Sequence, residues 1–446
     1  MNNRIVVIGA GIAGVATAHR LAVDHGAEVT IVDPRPPLTL TSDKSTECYR
    51  NWWPNQPMVG LMNRSIDLLE EMSERSRNVF GLSRRGYLFV TSREDTLSSW
   101  QEQASAISSY GAGAVRIHDE PARYRPASPH GYQNEPDGID LFTTAESLRQ
   151  PFPYVSAEAV GAMHVRRAGW FSAQQLGSWM LDQAKEAGTI HLVDEVVDIE
   201  VAAGAVVGVR LASGERIGCS AVVNAAGPLA ADVAKLVELD LPLRSEVHLK
   251  VAFRDHLGVI PRDAPMLIWS DPQHLDWDEE ERAVLTEAGR SDVLGEMPVY
   301  CHGRPEGGAE SPYFLGLWEY HGEVRQPVWP VPEDDLYPEV VARGLSTMIP
   351  GFGRYLDRLP QSNVDGGYYT KTPDNRPLIG PAGPAGFHLA CGYSGFGVMV
   401  ASGAADLVSK HLTSGPLPDY ADAFLLTRYD NPRYLESVSK ADSGQL

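Results

Sequence analysis

Residues 4–8 (RIVVI) are a short apolar run without alternation, which predicts a strand buried on both faces. Residues 13–24 repeat apolar positions at helical spacing, and 28–32 (EVTIV) read as a second buried strand ending at Asp33. Pro34, Pro36 and Pro37 then stop regular structure, and a polar loop is expected through about Trp53. A helix with one apolar stripe begins near Met58.

The middle of the chain mixes the two periods. Residues 87–91 (YLFVT) read as a strand and 94–109 as a helix; 171–187 form an amphipathic helix closed by Gly188. From Ile190 to Gly227, strand follows strand across tight turns, closing on AVVNAAG. Strands resume at 247–253, an acidic helix is expected at 278–290, and 299–321 read as strand again. Near the C-terminus, FHLACGYSGFGVMVASGAADLVSKHL predicts strand, Gly-rich loop and helix. The run IVVIGAGIAGVATA is cut by three glycines and lacks a basic flank, so it reads as neither signal peptide nor membrane span, and no membrane insertion is expected.

Chemistry enters with GAGIAG. Gly9, Gly11 and Gly14 stand in GxGxxG spacing between the first strand and the first helix, with Ile12 and Ala13 inside the turn. Glycines there permit a tight turn, close backbone approach to a pyrophosphate, and close helix–strand packing; the helix N-terminus attracts the phosphate charge. Asp33, with Arg35 beside it, ends the next strand, where an acid can take ribose hydroxyls and disfavours a phosphorylated ribose. This predicts a dinucleotide site but does not choose between FAD and NAD.

The net charge of −20 excludes a basic nucleic-acid-binding surface as the main function. With 43% hydrophobic and 22% charged residues, 446 in all, the chain is globular and long enough for two or three domains. Cys48, Cys219, Cys301 and Cys391 show no metal spacing; no metal site is expected, and the pattern suggests a reduced, cytoplasmic protein.

The fingerprint, the strand AVVNAAGPLAADVA and the block YYTKTPDNRPLIGPAGPAGFHLACGYSGFGVMVASGAADLV occur in an order that resembles the family of D-amino-acid oxidase, glycine oxidase and monomeric sarcosine oxidase. The resemblance runs from Ile5 to Leu412 and implies FAD as cofactor and amine oxidation as activity. It implies that Ala225, Ala226 and Gly227 run close under the cofactor and that Val196 lies by the adenine. It also implies that Ser42, Ser45 and Thr46 hold the pyrophosphate and near side of the flavin, and that Gly392, Gly395, Gly397 and Val398 wrap its ring. Arg50 matches an arginine that helps bind a substrate acid.

Departures from the family pattern are informative. Gly367 stands where some relatives carry the cysteine that tethers FAD, so no bond is expected by that route. No lysine occurs in FLGLWEYHG, where sarcosine oxidases place one over the flavin, which leaves the use of oxygen open. Phe396 and Met399 stand for a loop histidine and a second carboxylate-binding lysine. Tyr368, Tyr393 and His321 are the further candidates for catalysis beside Arg50, and His302, Arg304, Trp318 and Tyr320 for the pocket wall.

The expected fold is α/β: a Rossmann-like three-layer FAD-binding domain from 1–85, 155–240 and 360–446, with an inserted mixed-sheet substrate domain from 86–154 and 241–359. The expected reaction is oxidation of a C–N bond in a small-molecule secondary amine or amino acid, giving an imine. An NAD-dependent dehydrogenase and a non-catalytic flavin-bound redox subunit are the alternatives.

Overall fold

The computed structural model describes residues 4–120, 124–308 and 310–438. The strand Ile5–Ile8 lies inside a six-stranded sheet, parallel to Val29–Val32 on one side and Ala221–Asn224 on the other. Ile190–Leu192, Phe387–Cys391 and the antiparallel edge strand Leu378–Pro381 complete it. Both faces are covered, which explains the unbroken apolar run. Ile5, Val7, Val29 and Ile31 pack toward helices, while Val6, Ile8, Val32 and Val222 pack toward an antiparallel ribbon. The helices are Ile12–His19, Gln56–Ser76, Ala173–Glu186 and Gly397–Thr413; the ribbon is Val196–Ala202, Ala205–Leu211 and Arg216–Gly218. Helices, sheet and ribbon make the three layers.

A second, nine-stranded mixed sheet runs in the order Ser362–Lys371, Arg244–Arg254, Tyr313–Leu317, Cys301–Glu306, Met266–Trp269, Tyr87–Thr91, Gly161–Val165, Ile139–Phe142 and Val115–His118. Val247, Leu249, Val251 and Phe253 pack on one side with the helix Tyr337–Met348, so His248 and Lys250 belong to the opposite face. On that face Tyr87, Phe89, Met266 and Ile268 join the core shared with the nucleotide-type layers.

The sheets divide the chain differently from the expected segments at two places. Gly161–Val165 and Ser362–Lys371 belong to the nine-stranded sheet, because they pair antiparallel with Tyr87–Thr91 and Arg244–Arg254. The polar loop after Asp33 also contains a short strand, Cys48–Arg50, paired with Ala168–Trp170. Among the described residues no helix is long and apolar enough to cross a membrane, and no cluster of three metal-ligating side chains occurs.

Candidate active site

A cleft of about 1160 Å³, counting its open mouth, runs from the first glycine turn to the nine-stranded sheet. Its floor is backbone. Gly9 has φ +106°, and a Cβ there would sit 2.5 Å from the Ala225 carbonyl oxygen, so only glycine lets the two strand ends meet. A Cβ on Gly14 would sit 1.9 Å from the Gly9 oxygen; that glycine lies outside the cleft lining and serves the packing of helix on strand. Gly11, Ile12 and Ala13 line the cleft, where the Ser42 hydroxyl accepts a bond from the Ile12 NH at 2.9 Å. Asp33 is in the lining too, one carboxylate oxygen accepting from the Ala10 NH and the other from the Arg35 NH, each at 2.9 Å. The Arg35 side chain donates to the second oxygen as well, at 3.1 Å, so the oxygen facing Ala10 is the one that keeps lone-pair capacity for a hydroxyl.

Arg35, Ser45 and Thr46 line the near wall; Ala225, Ala226 and Gly227 line the floor. Gly392, Tyr393, Gly395, Gly397 and Val398 form the far side at the start of Gly397–Thr413. Val196 is not in the lining: it is buried against the ribbon core with Ile199 and Val209.

Thr46, Gly395 and Tyr369 line both this cleft and a smaller inner pocket of about 390 Å³. Arg50, Phe396 and Met399 meet in the inner pocket, joined by Trp53, Met266 and His302. The Arg50 guanidinium lies 4.5 Å from the Trp53 ring centre, and Trp53 meets Phe396 edge-on at 5.1 Å. Arg50 is held in place by the pairing of Cys48–Arg50, while its carbonyl accepts from the Trp53 indole at 3.2 Å.

Several candidates have other employment. His321 reaches neither cavity; it bonds Asp334 at 2.9 Å and stacks near Tyr320, whose hydroxyl also goes to Asp334. Tyr368 touches the cleft wall, but its hydroxyl is bonded to the Val328 NH and carbonyl, both at 2.9 Å. Arg304 is spent on the Thr46 carbonyl at 2.8 and 3.0 Å and on Glu306 at 2.7 Å, and Trp318 is core. Tyr393 does have its buried hydroxyl without a partner among the described residues.

The groups missed from sequence come from strand register. Tyr369, not Tyr368, forms the partition between the cavities, and it stacks on His248 at 3.7 Å. Burial works against charge on His248, but Glu319 at 3.2 Å and Glu246 outweigh it and raise its pKa. Lys250 lines the cleft and donates to the Ser45 carbonyl at 3.0 Å; burial lowers its pKa. Lys250 stands on the strand next to FLGLWEYHG, paired with Leu317. Strand alternation puts Tyr368 and Tyr369 on opposite faces, but which face meets the cavity is set by the pairing with Arg244–Arg254.

A three-layer nucleotide fold whose cleft opens onto a side-chain-lined pocket is the arrangement of an enzyme that holds a dinucleotide beside its substrate. The model of the family described as FAD dependent oxidoreductase, DAO, matches residues 4–411, and the chain belongs to that family. It is an FAD-dependent enzyme. A comparison with curated proteins finds no match. Among solved structures, L-proline dehydrogenase from P. horikoshii is 21% identical, with a TM-score of 0.73 over 96% of this chain and 98% of that one. Glycine oxidase from Geobacillus kaustophilus is 16% identical, with 0.72 over 96% and 99%. Iminodiacetate oxidase from Chelativorans sp. BNC1 is 17% identical, with 0.68 over 95% and 98%. At such identities the likeness is one of fold.

The cleft fits FAD on its own terms. Its floor admits no side chain at Gly9, and the buried hydroxyls of Thr41 and Tyr393, both in the lining, lack partners among the described residues.

Proposed function

We propose that this enzyme oxidises the C–N bond of a secondary amine or amino acid whose carboxylate is taken by Arg50 in the inner pocket. FAD would lie in the outer cleft, its pyrophosphate at the Gly11–Ile12 helix start beside Ser42, its ribose at Asp33, and its flavin ring near Gly395 and Tyr369. Bound there, it supplies the two-electron acceptor for hydride. The single observation that carries this reading is the junction of the two cavities: they share Thr46, Tyr369 and Gly395, so whatever fills the inner pocket abuts the cleft.

The pocket's chemistry narrows the substrate. Arg50 brings a cation, and Trp53, Phe396, Met399 and Met266 bring apolar surface. This favours an acid with an apolar or cyclic body over glycine-sized molecules, because two aromatic rings and two thioethers gain little from a small polar ligand. The solved relatives titled proline dehydrogenase and iminodiacetate oxidase are compatible with a secondary-amine acid. The test is anaerobic loss of flavin absorbance with glycine, sarcosine, L-proline and N-benzylglycine. Bleaching by L-proline or N-benzylglycine ahead of glycine and sarcosine is expected; no bleaching by any amine would overturn the reading.

A further inference from the structure

We infer that Trp53 is a positioning residue of the substrate site: its ring face and its indole NH hold the Arg50 guanidinium ready for a carboxylate, and the pocket's preference for an acid depends on that hold. The inference rests on the reading above, in which Arg50 takes the substrate carboxylate, and adds the residue that makes Arg50 fit to do so.

The chain fixes Trp53 from both sides. Arg50 is anchored at its backbone by pairing with Ala168, and Asn55 caps the helix Gln56–Ser76 by accepting from the Met58 NH at 3.1 Å. Trp53 lies between these anchors, buried, and its indole NH donates to the Arg50 carbonyl at 3.2 Å. That bond closes the turn between strand and helix. The same ring lies under the Arg50 side chain, whose Cζ is 4.5 Å from the ring centre, and the Phe89 ring stands 5.9 Å from that atom.

A guanidinium over an aromatic face is attracted by the ring's quadrupole, the more so away from water, and Arg50 is buried. The contact uses the face of the guanidinium. Its N–H donors lie in the plane and match the fork of a carboxylate. An arginine stem is rich in rotamers, and ordering it at the moment of binding costs affinity. Trp53 orders it beforehand.

The ring also ties the anion holder to the cofactor cleft. Trp53 meets Phe396 edge-on at 5.1 Å, and Phe396 immediately precedes the helix Gly397–Thr413. Its neighbours Gly395 and Gly397 line the cleft. Arg50, Trp53 and Phe396 therefore form a row of packed groups that ends at the cleft wall. A tryptophan that only filled space would need neither a cation on its face nor a bond from its NH, and both of these contacts go to Arg50.

The experiment is titration of the oxidised, flavin-loaded enzyme with cyclopentanecarboxylate and with cyclopentanecarboxamide, read from the perturbation of the flavin spectrum. The two ligands share a shape, carry no amine to oxidise, and differ in charge. The ratio of their dissociation constants therefore measures recognition of the carboxylate apart from the apolar body. In wild type the acid is expected to bind about 10- to 100-fold tighter than the amide. Trp53→Leu should cut that preference about tenfold, and Trp53→Phe, which keeps a ring, about threefold. Trp53→Met serves if the leucine variant does not fold. Trp53→Leu added to Arg50→Met should leave the ratio where Arg50→Met alone puts it, because the two residues act as one unit. Three results each overturn the role of Trp53 while Arg50 still takes the carboxylate: acid and amide weakened by the same factor in Trp53→Leu, a Trp53→Phe variant as poor as Trp53→Leu, or a further fall of the ratio in the Arg50→Met background. Equal binding of acid and amide by wild type overturns the carboxylate reading itself, and this inference with it.

Discussion

The outer cleft and the inner pocket adjoin each other yet are built on opposite principles. The cleft is mostly backbone and small residues contributed by short contiguous runs: Gly9–Ala13, Ala225–Gly227 and Gly392–Val398. The inner pocket is made of large side chains, one or two from each of several elements: Arg50, Tyr87, Met266, His302, Tyr369 and Met399. A cofactor common to a family can be held by a conserved shape of chain, whereas substrate choice is written in side chains brought together by tertiary pairing. Substitutions in the two regions should therefore fail differently, the first by losing the cofactor and the second by losing only the substrate.

The largest effect is expected at Gly9. Valine there would place Cβ within 2.5 Å of the Ala225 oxygen at a positive φ that branched residues do not adopt. Gly9→Val should destabilise the fold by several kcal/mol and yield protein without bound flavin, read from absorbance after purification. Full flavin content would mean that the strand ends tolerate separation and that backbone fit does not define the cleft.

Arg50→Met should behave in the opposite manner. Flavin content is expected to be unchanged, because Arg50 lines only the inner pocket. Loss of its charge-assisted bonds to a carboxylate, roughly 1.5–3 kcal/mol, should weaken amino-acid binding about 10- to 100-fold. The same variant should bind an amine lacking the carboxylate as well as wild type does. Titrating both ligands by the perturbation of the flavin spectrum separates the two cases, and equal losses would show that Arg50 acts through packing on Trp53.

The contrast also explains what could be read from the sequence. The glycine fingerprint, Asp33 and the C-terminal Gly-rich loop were legible because a turn and its helix are local objects. Parity and register are not. Tyr368 and Tyr369 are neighbours on one strand, and which one faces the cavity depends on the pairing of Ser362–Lys371 with Arg244–Arg254. His302 and His321 looked alike, yet one is carried into the inner pocket and the other to Asp334. Lys250 reaches the cleft because it pairs with Leu317, a relation between strands more than sixty residues apart.

Lys250 gives a smaller and more specific effect. A fixed positive charge near the reduced cofactor stabilises negative charge as oxygen is reduced. Lys250→Met should slow reoxidation by air about tenfold while leaving anaerobic reduction by the amine within about twofold. Burial lowers the lysine's pKa, so the wild-type reoxidation rate should decline as pH rises through a value below the free-lysine value of about 10.4. The variant should lack that decline. Reoxidation that is insensitive to the substitution would return the question of the acceptor to a partner other than oxygen.

The smallest effect is expected at His321, which stands in the same substrate-side half of the molecule without touching either cavity. His321→Ala removes a 2.9 Å bond to Asp334 and a ring packed 4.0 Å from Tyr320. Asp334 would keep Arg290, which reaches both carboxylate oxygens at 2.8 and 3.0 Å, and the Tyr320 hydroxyl at 3.1 Å. No charge is left unpaired in the interior, and the imidazole is itself 27% exposed, so the loss should stay within about 1 kcal/mol. Burial works against ionisation of Asp334, but His321 and Arg290 outweigh it and hold its carboxyl below the usual range. A depressed carboxylate pKa stabilises the fold above the unfolded-state value and loses that contribution as pH falls through the folded one. The stability difference between wild type and His321→Ala should therefore be present at about pH 6 and shrink at about pH 3, where Asp334 takes up its proton in the unfolded chain. Flavin content and the rate of anaerobic reduction should not change. Thermal midpoints at the two pH values, set beside the reduction rate, decide the matter: a variant that folds normally but reduces its flavin slowly would bring His321 back to the chemistry and erase the boundary drawn between the pocket wall and its support.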